Sequence, residues 1–168
     1  MSRETETSAA RAGGSVERVR QALQAAGHAD TIIAAPASTR TAAEAAAAMG
    51  CTVAQIIKSL IFRVGGQPVL VLASGINRVD PAKLAALAGA AVERPDAAWV
   101  RAVTGFAIGG VAPIGHLTPP LAWLDEDLLA LDPLWAAAGS PAHVFRTSAW
   151  QLLDLTGARP AALREVPP

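Results

Sequence analysis

Residues Gln55–Val64 read QIIKSLIFRV; Gly65-Gly66-Gln67 follows, then Pro68–Ala73, PVLVLA. The first segment is rich in β-branched and large apolar residues, the glycine pair is a turn signal, and the second segment is apolar throughout. The pattern predicts a β-hairpin. Lys58 and Ser59 fall inside its first strand among apolar neighbours.

Working outward, each flank offers capped helices and short strands. Upstream, Ser15 can cap a helix carrying Val16, Val19 and Leu23 at helical spacing and closing at Gly27. Thr31–Ala34 is a short strand, and Thr41 with Glu44 forms a capping box for an alanine-rich helix ending at Gly50. Downstream, Ser74–Asn77 is a loop, and Asp80-Pro81 opens a helix that runs to Gly89. Ala91-Val92 is a brief strand, and Asp96 caps the helix Ala97–Val103, ended by Gly105. Leu121–Leu124 and Val144–Arg146 read as strands, with the acidic turn Asp125-Glu126-Asp127 and the apolar run Leu128–Leu131 between them. Ser148 caps a last helix, Ala149–Leu155, stopped by Gly157. Hairpins alternating with helices predict one α+β domain, its mostly antiparallel mixed sheet closing into a barrel-like core with surrounding helices. The expected organisation is a disordered polar tail over residues 1–14, the domain over 15–160 and a loose tail over 161–168.

Composition narrows the function. The chain has 168 residues, enough for one sizeable core. Mean hydropathy is +0.34, but 39 alanines account for much of it, and no apolar run reaches the length of a membrane-spanning helix. Fourteen basic residues balance fourteen acidic ones, which argues against a DNA-coating protein but not against a grip on one nucleic-acid end. Met1–Gly14 has no apolar stretch of the signal-peptide kind, and a cytoplasmic location is expected. Cys51 is the only cysteine, so no intrachain disulfide forms. His28, His116 and His143 lack ligand spacing, and neither a metal nor a cofactor is expected. His28 reads as a surface residue. Trp99, Trp123, Trp135 and Trp150 read as core anchors.

Two features could carry chemistry. Lys58 is one of only two lysines, with Lys83, among fourteen cations. In an apolar strand its ammonium must reach water, a counter-ion or a ligand anion, so it is either a solvent-facing strand residue or a ligand group. Phe106–Gly115, FAIGGVAPIG, has three glycines, a proline and no charge. Its Gly109-Gly110 pair is either a tight turn or a backbone site for an oxyanion or a water. No Walker lysine, GxGxxG or GxSxG motif is present.

Three segments occur in order: Ile57-Lys58-Ser59-Leu60-Ile61-Phe62, Gly75-Ile76-Asn77-Arg78-Val79-Asp80, and Thr104-Gly105-Phe106-Ala107-Ile108-Gly109-Gly110-Val111-Ala112-Pro113-Ile114-Gly115. The combination resembles the YbaK/EbsC family of prolyl-tRNA editing-type aminoacyl-tRNA deacylases over roughly Val16 to Leu155. The resemblance implies hydrolysis in trans of the ester joining a wrong amino acid to the 3′-terminal adenosine of tRNA. It implies that Lys58, Gly109 and Gly110 carry the reaction: Lys58 holds the phosphate or 3′ end, and the glycine backbone lines the aminoacyl pocket and places the water. Ser59, Asn77, Thr104, Pro113, Gly115, His116 and His143 are the implied substrate-binding residues, and Ala107 and Ala112 leave room for a small amino acid. The implied partners are the acceptor end of misacylated tRNA and an aminoacyl-tRNA synthetase, with no DNA and no membrane. An activated ester needs positioning and charge stabilisation more than a strong nucleophile, which suits a chain without triad or metal motif. The alternative is a non-catalytic binder of tRNA ends or of a synthetase. An open pocket joining Lys58 to Gly109 distinguishes the two.

Overall fold

The hairpin forms and lies at the centre of the larger of two sheets. The structure, a computed structural model, describes residues 2–36 and 41–166, with side chains from Gly14 onward in the first segment. Met1 and Pro167-Pro168, the extremities of the two expected tails, lie outside the described residues. Strand β2 (Ile57–Val64) pairs with β3 (Gln67–Ser74) from Ile57↔Ser74 to Val64↔Gln67. The two loop residues, Gly65 and Gly66, have φ of 57° and 77°, the conformation a tight hairpin turn demands.

The five-stranded sheet runs β4-β2-β3-β5-β8, where β4 is Val92–Glu93, β5 is Leu121–Asp125 and β8 is Arg159–Ala161. Pairing is antiparallel up to β3 and parallel at β3–β5 and β5–β8. A three-stranded antiparallel sheet is built from β1 (Ile33–Ala34), β7 (His143–Thr147) and β6 (Leu134–Ala137), with β7 in the middle. The expected barrel is therefore not drawn by the strand pairing. One mixed and one antiparallel sheet meet, among the described residues, at the bridge of Ile56 with Trp135.

Among the described residues, five α-helices surround them. α1 spans Ser2–Ala25, taking in residues expected to form a tail, and buries Val16, Val19 and Leu23. α2 (Ala42–Met49), α3 (Pro81–Ala88), α4 (Ala97–Thr104) and α5 (Ala149–Thr156) start at Thr41, Asp80, Asp96 and Ser148. In each, the cap oxygen accepts a first-turn backbone N–H.

β3 explains the uninterrupted PVLVLA run. Leu70 and Leu72 face a core cluster with Val19, Leu23, Phe106 and Phe145, whereas Val69 and Val71 face a second cluster with Phe62, Leu84, Trp123 and Leu163. A strand covered on both faces has no polar face to show. The second cluster corrects the expected loose C-terminal tail. Leu163 is buried, its carbonyl accepts the Asp80 N–H at 2.8 Å, and the Glu165 N–H donates to the Arg78 carbonyl at 2.7 Å. His28 is buried rather than superficial: its Nε2 lies 3.0 Å from Thr147 Oγ1 and its ring meets Phe145 edge-on. Trp150 is 68% exposed and anchors no core.

Candidate active site

Strand β2 supplies one wall of an open cleft. Its outer edge is paired by β4 only at Arg63 and Val64 among the described residues, and Lys58 to Phe62 line the cleft. Facing this edge is the turn after α4. The Gly110 N–H donates to the Ala107 carbonyl at 2.9 Å, closing a β-turn whose third residue, Gly109, has φ +90°. Ile108 has no positive φ, so this is the turn type that reserves its third position for glycine. The cleft holds about 340 Å³ and joins Lys58 to Gly109.

Lys58 donates from Nζ to the backbone carbonyl of Asn77, leaving two ammonium hydrogens for other partners. Burial first, and the Arg78 charge second, hold its pKa below the ordinary lysine value, while Asp125 acts in the opposite direction. Arg78 and Arg94 also line the cleft, and among the described residues no carboxylate does. The remaining wall is apolar, including Leu60, Phe62, Val100, Ile108 and Val111. Three cations around an uncharged floor suit an anionic ligand with a small apolar part.

The residues singled out from sequence divide into four places. Lys58, Ser59 and Gly109 line the cleft, and Ser59 Oγ is buried without a hydrogen-bond partner. Gly110 lies behind the turn: a Cβ there would sit 2.8 Å from Ser140 Cα and 3.1 Å from Pro141 Cδ. Its N–H is already committed to Ala107, so it donates to nothing in the cleft. His143 belongs to this backing loop, with Nδ1 2.7 Å from Ser140 Oγ. Asn77 and Thr104 are buried supports. The Asn77 amide donates to Asp125 and Asp127 at 2.7 and 2.8 Å, and Thr104 Oγ1 donates to the Val100 carbonyl at 2.6 Å.

Pro113, Gly115 and His116 line a different cavity of about 160 Å³, with Leu70 and Ala122. His116 Nε2 donates to the Ala112 carbonyl at 2.6 Å and its ring stands edge-on to Phe106 at 5.2 Å. Burial holds its pKa below the ordinary histidine value. Ala112 is fully buried in the core, and neither it nor Ala107 lines the cleft. Cys51 is half-buried at the end of α2, outside the cleft, and burial pushes its thiol up, away from nucleophilic thiolate.

Arg78, Arg94, Ile108 and Val111 were not singled out. Arg78 stood in the quoted Gly75–Asp80 segment, and the only signal for Arg94 was its place directly after a short strand. Among the described residues no group of three or more His, Cys, Asp or Glu side chains lies together as a metal site, and no helix is long and apolar enough to cross a membrane.

Strand β2, a glycine turn and a cationic rim together form one open cleft. The chain belongs to the aminoacyl-tRNA editing domain family, whose sequence profile matches residues 36–155. Domains of this class remove amino acids from tRNA, so the chain is an aminoacyl-tRNA deacylase by class. It is similar to a solved structure described as a candidate trans-editing enzyme for prolyl tRNA synthetase, with 48% identity, a TM-score of 0.87 and coverage of 90% of this chain and 98% of that one. It is also similar to the solved hypothetical protein APE2540, with 29% identity, a TM-score of 0.82 and coverage of 88% and 99%. The uncharacterized protein YwhH of Bacillus subtilis (strain 168) is 34% identical over 104 residues, which span 61% of this chain and 66% of YwhH.

Proposed function

We propose that the chain hydrolyses, in trans, the ester between a small amino acid and the 3′-terminal adenosine of a misacylated tRNA, in the cytoplasm. The observation that carries this reading is the open cleft joining Lys58 to Gly109, rimmed by Arg78 and Arg94 and free of carboxylates. A binder of tRNA ends without turnover has no need of such a cleft beside a glycine turn.

In this reading Lys58 holds the terminal phosphate or 3′ end with the ammonium hydrogens not given to Asn77. Arg78 and Arg94 meet phosphates on the approach. The ester carbonyl lies against the Ile108-Gly109 turn, where the absence of a side chain on Gly109 admits it closely. Water attacks the carbonyl carbon, charge collects on the carbonyl oxygen, and the ribose oxygen leaves with a proton, assisted by the neighbouring ribose hydroxyl. Of the glycine pair, Gly109 faces the substrate and Gly110 seats the turn. The apolar floor of Leu60, Val100 and Val111 receives a short aminoacyl side chain.

The test is deacylation of a panel of alanyl-, seryl-, cysteinyl- and threonyl-tRNAs by the purified protein. The panel starts with tRNA(Pro), because a similar structure is described as a candidate trans-editing enzyme for prolyl tRNA synthetase. Catalytic release from at least one ester, lost in Lys58→Ala, is expected. Binding of tRNA or a synthetase with no release from any ester overturns the proposal.

A further inference from the structure

The geometry points to Asp125 as a positioning residue that acts through Asn77 to fix where the Lys58 ammonium stands. This rests on the reading of Lys58 as the substrate-holding cation. Asp125 ends β5 and is 1% exposed. A carboxylate so far from water persists only when its lone pairs are met. Its Oδ2 accepts the Ser74 N–H at 3.1 Å and the Asn77 amide at 2.7 Å, and its Oδ1 accepts the Asp127 N–H at 3.0 Å. All three donors are neutral, so hydrogen bonding is satisfied while the charge is left uncancelled by direct contact.

That charge bears on Lys58, whose protonated form Asp125 favours and Arg78 opposes. The link is also mechanical. Lys58 bonds not to the Asn77 side chain but to its backbone carbonyl, while the Asn77 amide is tied to Asp125 and, at 2.8 Å, to Asp127. The loop between β3 and α3 is thus clamped from below, and the Asn77 carbonyl is presented to the ammonium. Asp127 is the outer tie, itself 3.7 Å from Arg164. The charged groups around Lys58 are then Arg78 from the loop, Arg94 across the cleft, Asp125 and Asp127 beneath, and Arg164 beyond Asp127. The acidic turn Asp125-Glu126-Asp127 is thereby more than a solvated bend. With the clamp removed, the Arg78 repulsion is unopposed and the ammonium no longer has a fixed acceptor.

The chain has only two lysines, so protein carrying 13C at lysine Cε gives two resonances, with Lys83 as an internal control. The experiment titrates both signals in the parent, Asp125→Asn and Asn77→Ala proteins. It also measures kcat and KM on whichever misacylated tRNA the parent hydrolyses fastest. In Asp125→Asn the Lys58 midpoint should move to lower pH with Lys83 unmoved, and kcat should fall by about ten- to a hundredfold, the loss expected for an ionic hydrogen bond in a catalytic arrangement. Asn77→Ala keeps the carbonyl that meets Lys58 and both carboxylates; its kcat should fall similarly with KM changing less than kcat. A Lys58 midpoint that stays or rises in folded Asp125→Asn overturns the proposal. If Asp125→Asn does not fold, Asn77→Ala decides: kcat within about twofold of the parent overturns it. Lys58→Ala run alongside separates the two ideas, since full activity there removes the role of Lys58 itself whatever the titration shows.

Discussion

Gly110 and Ser140 touch backbone to backbone: a Cβ on Gly110 would lie 2.8 Å from Ser140 Cα and 2.9 Å from its carbonyl carbon. Gly109, one residue earlier, is different. A Cβ there would find only Pro141 Cγ at 3.9 Å, but its φ is +90°. Alanine should therefore harm the two positions for separate reasons. Gly109→Ala stores backbone strain of about 1–2 kcal/mol, and Gly110→Ala collides with the Ser140-Pro141 loop at about 1–3 kcal/mol. Calorimetry should show both melting below the parent, with Gly110→Ala also displacing the His143 ring resonance through its Ser140 partner. Unchanged melting in both would mean that the turn tolerates side chains and that its glycines are incidental.

Replacing Lys58 by methionine should separate activity from stability. Burial and Arg78 lower the Lys58 pKa in the folded chain, so the unfolded chain binds more protons between the folded and unfolded values. Stability contributed by this group therefore rises with pH through that window, and at neutral pH its charge opposes folding. Lys58→Met should lose deacylation by about a hundredfold or more while melting at or above the parent temperature. A drop in melting temperature would show that Lys58 holds the fold instead.

Arg94 meets no carboxylate in the cleft and stands 6.0 Å from the Phe62 ring centroid. As a phosphate contact it should act on binding more than on chemistry. Arg94→Ala should raise KM about three- to thirtyfold, leave kcat nearly intact and make the salt dependence shallower by roughly one phosphate contact. A fall in kcat at constant KM would place Arg94 at the reacting ester.

His116 carries a pH dependence unrelated to the cleft. Burial disfavours its charged form, with Arg18 adding to this and the Ala112 carbonyl opposing it. Its folded pKa lies below the ordinary histidine value of about 6.5, so its contribution to stability is complete above that pH and is lost as pH falls through the folded value. His116→Gln should flatten the decline in melting temperature below about pH 6.5 without changing kcat. A parallel decline in parent and variant would assign the acid sensitivity elsewhere.

The hairpin was legible because a segment rich in β-branched and apolar residues, a glycine pair and a second apolar run point the same way, and Lys58 was legible because it is a cation inside the first segment. Arg78 and Arg94 were not: in a chain with 12 arginines, one more carries no signal until the fold turns it toward the β2 edge. Continuous sequence also misled. Gly109 and His116 belong to one glycine-rich stretch, but Val111 and Ala112 pass through the core between them, so Pro113–His116 emerges at another cavity. β6 escaped notice because Trp135-Ala136-Ala137 shows no strand alternation, and β8 because its pairing with β5 joins distant segments.

The anchoring of Leu163–Glu165, beyond β8, sets an order of events during synthesis. Val79 bridges to Arg164, and the Arg78 carbonyl waits for the Glu165 N–H, so the loop that carries Arg78 and Asn77 is closed by residues made some eighty positions later. While Leu163 is still inside the ribosomal tunnel, one side of the second core cluster is open and Asp80 lacks a partner for its N–H. Folding of the loop that bears Arg78 and Asn77 is therefore a late, long-range event, completed only when Leu163–Glu165 has docked against it.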